Sequence, residues 1–118
     1  MIGVHSEGDK VVIVLGARRR DMSLGMIEAE DFAAALERMA DSAAVELPSV
    51  IRGEQWACQV ESFDRKVFVR FYPPSGSTCT RVIMPPAAAR KLADEVRFKR
   101  QQASYGIRFQ QAASISRI

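Results

Sequence analysis

Residues 65–76 read RKVFVRFYPPSG, and the period of this stretch decides the fold. Side chains of a strand alternate between its two faces. Val67, Val69 and Phe71 therefore share one face, and Lys66, Phe68, Arg70 and Tyr72 share the other. The first face is ordinary core. The second interleaves two cations with two aromatic rings on the side where water is expected. Pro73, Pro74 and Gly76 then stop the strand.

The same pattern occurs earlier in the chain. At an offset of 56 residues, Lys10 meets Lys66, Val11 meets Val67, Ile13 meets Val69 and Leu15 meets Phe71. Continued without a gap, Met26 meets Val82, Ile27 meets Ile83, Ala33 meets Ala89 and Leu36 meets Leu92. Each copy reads as a strand (10–16; 66–72), a polar loop (17–21; 73–78), a second strand (22–28; 79–84) and a helix. Helix one, about 29–41, has Glu30 and Asp31 in its first turn, where acids suit the positive end of the helix dipole. Its apolar stripe is Phe32, Leu36 and Met39. Helix two follows Pro85-Pro86, carries Ala88, Leu92 and Val96, and runs to about Ser104 before Gly106 ends it. Leading strands are expected at 2–6 and 55–62.

The expected architecture is α+β in one domain over 1–118. Two repeated units, each an antiparallel β-meander plus a helix, occupy 1–45 and 55–104 and pack through their helices as a pseudo-dimer. Residues 46–54 read as the linker and 105–118 as a tail without a clean pattern. Each helix is expected to cover one face of its own meander and leave the other open.

Composition agrees with a folded chain. Of 118 residues, 47% are apolar and 26% charged, values outside the disordered range. No run of ~18 apolar residues is present. The N-terminus, MIGVHSEGDK, has neither a basic n-region nor an apolar h-region, so no signal peptide is read and a cytoplasmic site, the host cell's for a phage-like protein, is expected. Two cysteines, Cys58 and Cys79, are too few for a disulfide scaffold or a structural zinc site and read as free thiols. The net charge of +3 is unevenly divided. Residues 1–64 hold 6 Lys and Arg against 12 Asp and Glu, a net of −6, and residues 65–118 hold 11 against 2, a net of +9. Two consequences are open: a directional field suited to a polyanion, or two halves that neutralise each other by packing.

If a helix covers Val67, Val69 and Phe71, then Lys66, Phe68, Arg70 and Tyr72 form an uncovered face. Rings on such a face act as stacking platforms for unpaired bases beside cations that hold phosphates. The structural alternative is that Phe68 and Tyr72 are packed by the tail or the other half. Arg18, Arg19 and Arg20 form a basic loop that suits phosphate or simply solvates the tip, with Asp21 partly offsetting it. Arg97, Lys99 and Arg100 read either as a further phosphate contact or as the polar end of a helix. Trp56 reads as core.

The span QVESFDRKVFVRFYPPSGSTCTRVIMPPAAARKLADEV, 59–96, resembles the unit of the positive-cofactor-four and Whirly type single-stranded-DNA-binding coactivators. The resemblance lies in Phe63 and Lys66 of the turn SFDRK, in the strand 67–72, and in Ile83, Pro86 and Leu92 leading into the helix. It implies a single-strand binding surface that includes Phe63, formed by two units packed through their helices. Asp64 departs from the pattern, since a Lys is expected in that turn.

An enzyme is not expected. His5 is the only histidine, so Ser–His and Cys–His nucleophile arrangements lack a base, and PPSGSTC lacks the Lys and spacing of a phosphate loop. Glu28, Glu30 and Asp31 suit a helix start as well as a Mg²⁺ ion, and no cofactor is implied. The expected function is sequence-tolerant binding of single-stranded DNA or RNA, assisting transcription or protecting single-stranded DNA, through Phe63, Lys66, Phe68, Arg70, Tyr72, Arg18, Arg19 and Arg20. The competing expectation is a protein-interaction module, a small phage-like factor docking on RNA polymerase or another larger protein. Pairing with further copies of the chain is compatible with either.

Overall fold

The computed structural model describes residues 2–15, 20–42, 48–53, 56–73 and 79–115, with the side chains of residues 20, 21 and 104–115 left aside. The order is β1 (Ile2–Glu7), β2 (Lys10–Leu15), β3 (Arg20–Leu24), α1 (Met26–Asp41), β4 (Ser49–Arg52), β5 (Ala57–Phe63), β6 (Lys66–Tyr72), β7 (Thr80–Met84) and α2 (Pro86–Ile115). The fold is α+β. β1-β2-β3 form one antiparallel sheet, β4-β5-β6-β7 form a second, and the two helices pack on each other.

Both tight hairpins need left-handed backbone. In the β1–β2 turn Gly8 takes it at φ +60°, the first-position glycine of a type II′ turn. In the β5–β6 turn Asp64 and Arg65 take it at φ 51° and 58°, the type I′ pattern, here without a glycine.

The element sequence β-β-β-α occurs twice, in β1-β2-β3-α1 and β5-β6-β7-α2. The offset is 56 residues through β2 and β6, where Glu7 pairs Lys10 and Phe63 pairs Lys66. Beyond the loop it becomes 60. Val11 pairs Leu24 where Val67 pairs Met84, and α1 begins at Met26 where α2 begins at Pro86. The ungapped alignment misplaced the second strand and the helix of the first unit. Four residues are about one helical turn, so a shift of four still lays apolar on apolar. At the offset of 60 the buried residues Ala29, Phe32, Ala33 and Leu36 correspond to Ala89, Leu92, Ala93 and Val96, and Ala88, expected in the stripe, is exposed.

Three boundaries differ from expectation. Met26 and Ile27 open α1 rather than close a strand. Gly25 supplies an extended residue before the helix and its carbonyl accepts the first helical bond from Ala29 N–H at 2.9 Å. The linker 46–54 contains β4, since its β-branched Val50 and Ile51 pair with β5 and Ile51 is buried. α2 continues past Gly106 to Ile115, taking in most of the expected tail.

The helices also cover different sheets from those expected. α1 packs chiefly on β4, β5 and β6, and α2 chiefly on β1 and β2. Phe32 of α1 meets Phe71 of β6 with ring centroids 6.2 Å apart. Each helix therefore covers the sheet of the other unit, and one core runs through both: Val11, Ile13 and Leu24 below one sheet, Val60, Val67 and Val69 below the other, with Phe32, Leu36, Met39 and Val96 between.

Charge complementarity joins the helices. Arg97 of α2 bonds Glu30 at 3.1 Å and also Glu37, Arg90 bonds Asp41, and Arg100 donates to the Met26 carbonyl at 2.8 Å. The Glu30 hydrogen bond, supported by Glu37, pushes the Arg97 guanidinium above its ordinary value against the opposing effect of burial. Part of the acidic surplus of the first half thus meets the basic surplus of the second within the molecule.

Candidate functional site

The outer face of the four-stranded sheet follows from register. β6 alternates as its sequence requires: Val67, Val69 and Phe71 are buried, Lys66 and Tyr72 exposed, Phe68 and Arg70 half-buried. Pairing places Gln59 of β5 beside Arg70, and Arg70 beside Arg81 of β7; Val50 of β4 completes that row. In the row above, Glu61 flanks Phe68, which flanks Ile83. Arg52, Ala57 and Tyr72 form the row below, and Phe63 stands beside Lys66 at the turn.

Exposed apolar groups are concentrated here. Val50 is 55%, Phe63 63%, Tyr72 39% and Ile83 48% exposed, four of the six large apolar side chains that stand exposed among the described residues. Among its charges are Arg52, Lys66, Arg70 and Arg81 against Glu61, while Asp64 and Arg65 at the turn cancel.

The expected site residues are not equivalent. Phe63, Lys66, Phe68, Arg70 and Tyr72 share this face. Phe68, however, packs edge-on against Phe63, with centroids 6.1 Å apart and planes at 71°, so Phe63 presents the freer ring. Arg70 is held by the Glu61 carboxylate at 3.2 Å. Tyr72 donates a long hydrogen bond to Gln59 Oε1 at 3.4 Å, which orients the ring and leaves it exposed. Arg18 and Arg19 lie outside the described residues, as does the second loop, 74–78. The backbone of Arg20 belongs to β3, with its side chain outside the description.

Of the three cations of the α2 segment 97–100, Arg97 and Arg100 are engaged by α1, and Lys99 stands 5.8 Å from the centroid of the Phe98 ring. Trp56 is half-buried against the core rather than a platform. Its indole N–H donates to the Ser23 carbonyl at 2.9 Å, tying the β4–β5 turn to β3.

Sequence reasoning missed Val50, Arg52, Arg81 and Ile83. A signal was there for two of them, since TRVIM alternates just as KVFVRFY does, placing Arg81 and Ile83 opposite Val82 and Met84. Val50 and Arg52 were hidden by reading their segment as linker.

His5 stands exposed on β1 with Nε2 3.7 Å from the Glu7 carboxylate. Among the described residues no cluster of His, Cys, Asp and Glu could hold a metal ion, and no helix is long and apolar enough to cross a membrane. Cys58 is fully buried, which pushes its thiol up to about 12, while Cys79 is exposed.

No protein-family model matches this chain, and no curated protein or solved structure is significantly similar to it.

Proposed function

We propose that the outer face of the four-stranded sheet binds single-stranded DNA or RNA without sequence preference, in assisting transcription or protecting single strands. The observation that carries this reading is the direct cross-strand pairing of Arg70 with Arg81 on a solvent-facing sheet. Like charges placed opposite each other destabilise a sheet, and a phosphate between them removes the repulsion. The Glu61 carboxylate at 3.2 Å offsets part of the Arg70 charge, and the uncompensated charge of the pair is centred on Arg81, which is the stronger phosphate ligand of the two.

The rings distinguish the ligand. Phe63 and Tyr72 lie on the same face as the cations, and unpaired bases can stack on them. In a duplex the bases are already stacked on one another, so only the phosphates would reach this surface. Binding to duplex would then be weaker and indifferent to both rings. Lys66, Arg52 and Arg81 are the phosphate ligands of this scheme, with Arg70 in a secondary role.

The test is fluorescence anisotropy of a labelled ~25-nucleotide single strand and of the same sequence as duplex, at low and physiological salt. Tighter single-strand binding that falls linearly with the logarithm of salt supports the proposal. Absence of binding at low salt rejects it. The second reading, a docking surface for RNA polymerase or another protein, is favoured by the exposure of Val50 and Ile83, since apolar groups beside Arg and aromatic rings also compose protein interfaces.

A further inference from the structure

The two freer rings of the outer face set a length and a direction for what binds there. Along β5 and β6 the outward pairs are Phe63–Lys66, Glu61–Phe68, Gln59–Arg70 and Ala57–Tyr72, four rows in that order. Phe63 stands in the first row and Tyr72 in the last, both exposed, whereas Phe68 between them packs edge-on against Phe63. Rows on one face of a strand recur every two residues, about 6.7 Å, and neighbouring strands lie about 4.8 Å apart. The step from Phe63 to Tyr72 therefore runs about 20 Å along the strands and only about 5 Å across them. A ligand that stacks on both rings has to follow β6.

The cations mark the same path. Lys66 is in the first row, Arg81 of β7 flanks Arg70 in the third, and Arg52 of β4 shares the fourth with Tyr72. A ligand laid across the strands along the third row would meet Arg70 and Arg81 but neither free ring. Bases stacked on one another in a helix rise ~3.4 Å per nucleotide, about half the spacing of the rows. We infer that this face takes a single strand extended along β6, with its bases unstacked from one another and one nucleotide to a row. The shortest strand that fills it has about four nucleotides, the end bases lying on Phe63 and Tyr72. Between such nucleotides lie about three phosphates, one each for Lys66, Arg81 and Arg52. The inference rests on the proposal that this face binds single strands, and adds the length, path and conformation of the bound segment.

Competition by short strands tests it. The full-length protein is loaded with a labelled ~25-nucleotide mixed-sequence strand at low salt, and unlabelled thymidine oligomers of about two to ten nucleotides displace it, read by anisotropy. Four nucleotides should displace the label at a concentration at least about tenfold lower than three, because a trimer reaches only one of the two rings. Each further nucleotide should then add about twofold or less, as the number of overlapping positions grows. The ends are assigned with tetramers that lack one terminal base. Loss of the base at one end should cost about tenfold against the wild-type chain and nothing against Phe63→Ala, and loss at the other end should behave in the same way towards Tyr72→Ala. A length series that rises evenly, or one that breaks near seven nucleotides as mutually stacked bases require, overturns the inference, while the bound 25-mer keeps the single-strand reading intact. If the labelled strand itself does not bind, both are rejected.

Discussion

Trp56 donates its indole N–H to the backbone carbonyl of Ser23 at 2.9 Å, bridging the two sheets across 33 residues of sequence. The same ring lies over Gly53, whose amide donates to the Trp56 carbonyl at 2.9 Å within the β4–β5 turn. A Cβ built on Gly53 would stand 2.3 Å from Cε2 of the ring, so the glycine there makes room for the bridge.

Gly53→Ala should therefore displace Trp56 and destabilise the protein by about 1–3 kcal/mol, the range for overpacking. Gly25→Ala is the control. There an added Cβ meets the end of the flexible Glu28 side chain, which can swing away. Trp56 is the only tryptophan, so its emission reports the displacement directly, and urea denaturation reports the stability. Equal losses in the two variants would contradict this account.

Arg97 should matter more than Arg90. Arg97 bonds two acids two turns apart on α1, whereas Arg90 bonds Asp41 and the Ala40 carbonyl at an exposed helix end. The expected cost is about 1–2 kcal/mol for Arg97→Ala and below about 1 kcal/mol for Arg90→Ala, with the first shrinking in high salt. Chemical denaturation at two ionic strengths checks both numbers.

Arg65→Gly should stabilise the chain by about 0.5–1 kcal/mol. Arg65 takes φ 58° in the β5–β6 turn, a conformation that costs an L-residue more than it costs glycine, even after glycine's larger unfolded-state entropy is counted. A lower melting temperature in the variant would show that the Arg65 side chain makes a contribution exceeding the backbone strain.

On the binding face, Arg81→Ala should weaken single-strand binding more than Arg70→Ala, because Glu61 already offsets part of the Arg70 charge. If Arg52, Lys66 and Arg81 are the phosphate contacts, the slope of log affinity against log salt is about −2, and Arg81→Ala reduces its magnitude by about 0.7. Tyr72→Ala and Phe63→Ala should each cost about tenfold in affinity, within the range for a stacked base. Anisotropy titrations across a salt series measure all four. Rings that change nothing while the cations do would point to a purely electrostatic surface.

The buried thiol of Cys58 has a pH signature. Burial pushes it up to about 12 from an ordinary value of 9.0, opposed by a backbone hydrogen bond at Ile51. Above about pH 9 the unfolded chain releases this proton and the folded chain does not. Stability therefore falls as pH rises from 9 towards 12, by up to about 1.4 kcal/mol per unit, and is insensitive to this group below 9. Cys58→Ala should flatten that decline when melting is followed against pH. Alkylation of the native protein should label the exposed Cys79 and spare Cys58 until denaturant is added.

Local periodicity made much of this protein legible. The alternation in KVFVRFY requires a strand with Val67, Val69 and Phe71 inward and Lys66, Phe68, Arg70 and Tyr72 outward, because side chains leave a pleated backbone on alternate sides whatever packs above it. The spacing of Phe32, Leu36 and Met39 likewise requires a helix with one buried stripe. What periodicity does not encode is which surface meets which. An apolar stripe buries equally well against any apolar sheet, since the hydrophobic effect is not directional. The pairing of α1 with β4–β6 and of α2 with β1 and β2 was decided by tertiary packing, together with the long-range contacts of Arg97, Arg90 and Trp56. The same holds for the candidate site. Sequence alone placed Arg70 on the outer face, but only the register of β5, β6 and β7 set Glu61 against its guanidinium and Arg81 at its side. Neighbours across a sheet are fixed by chain pairing, and the order of residues along one strand carries no information about it.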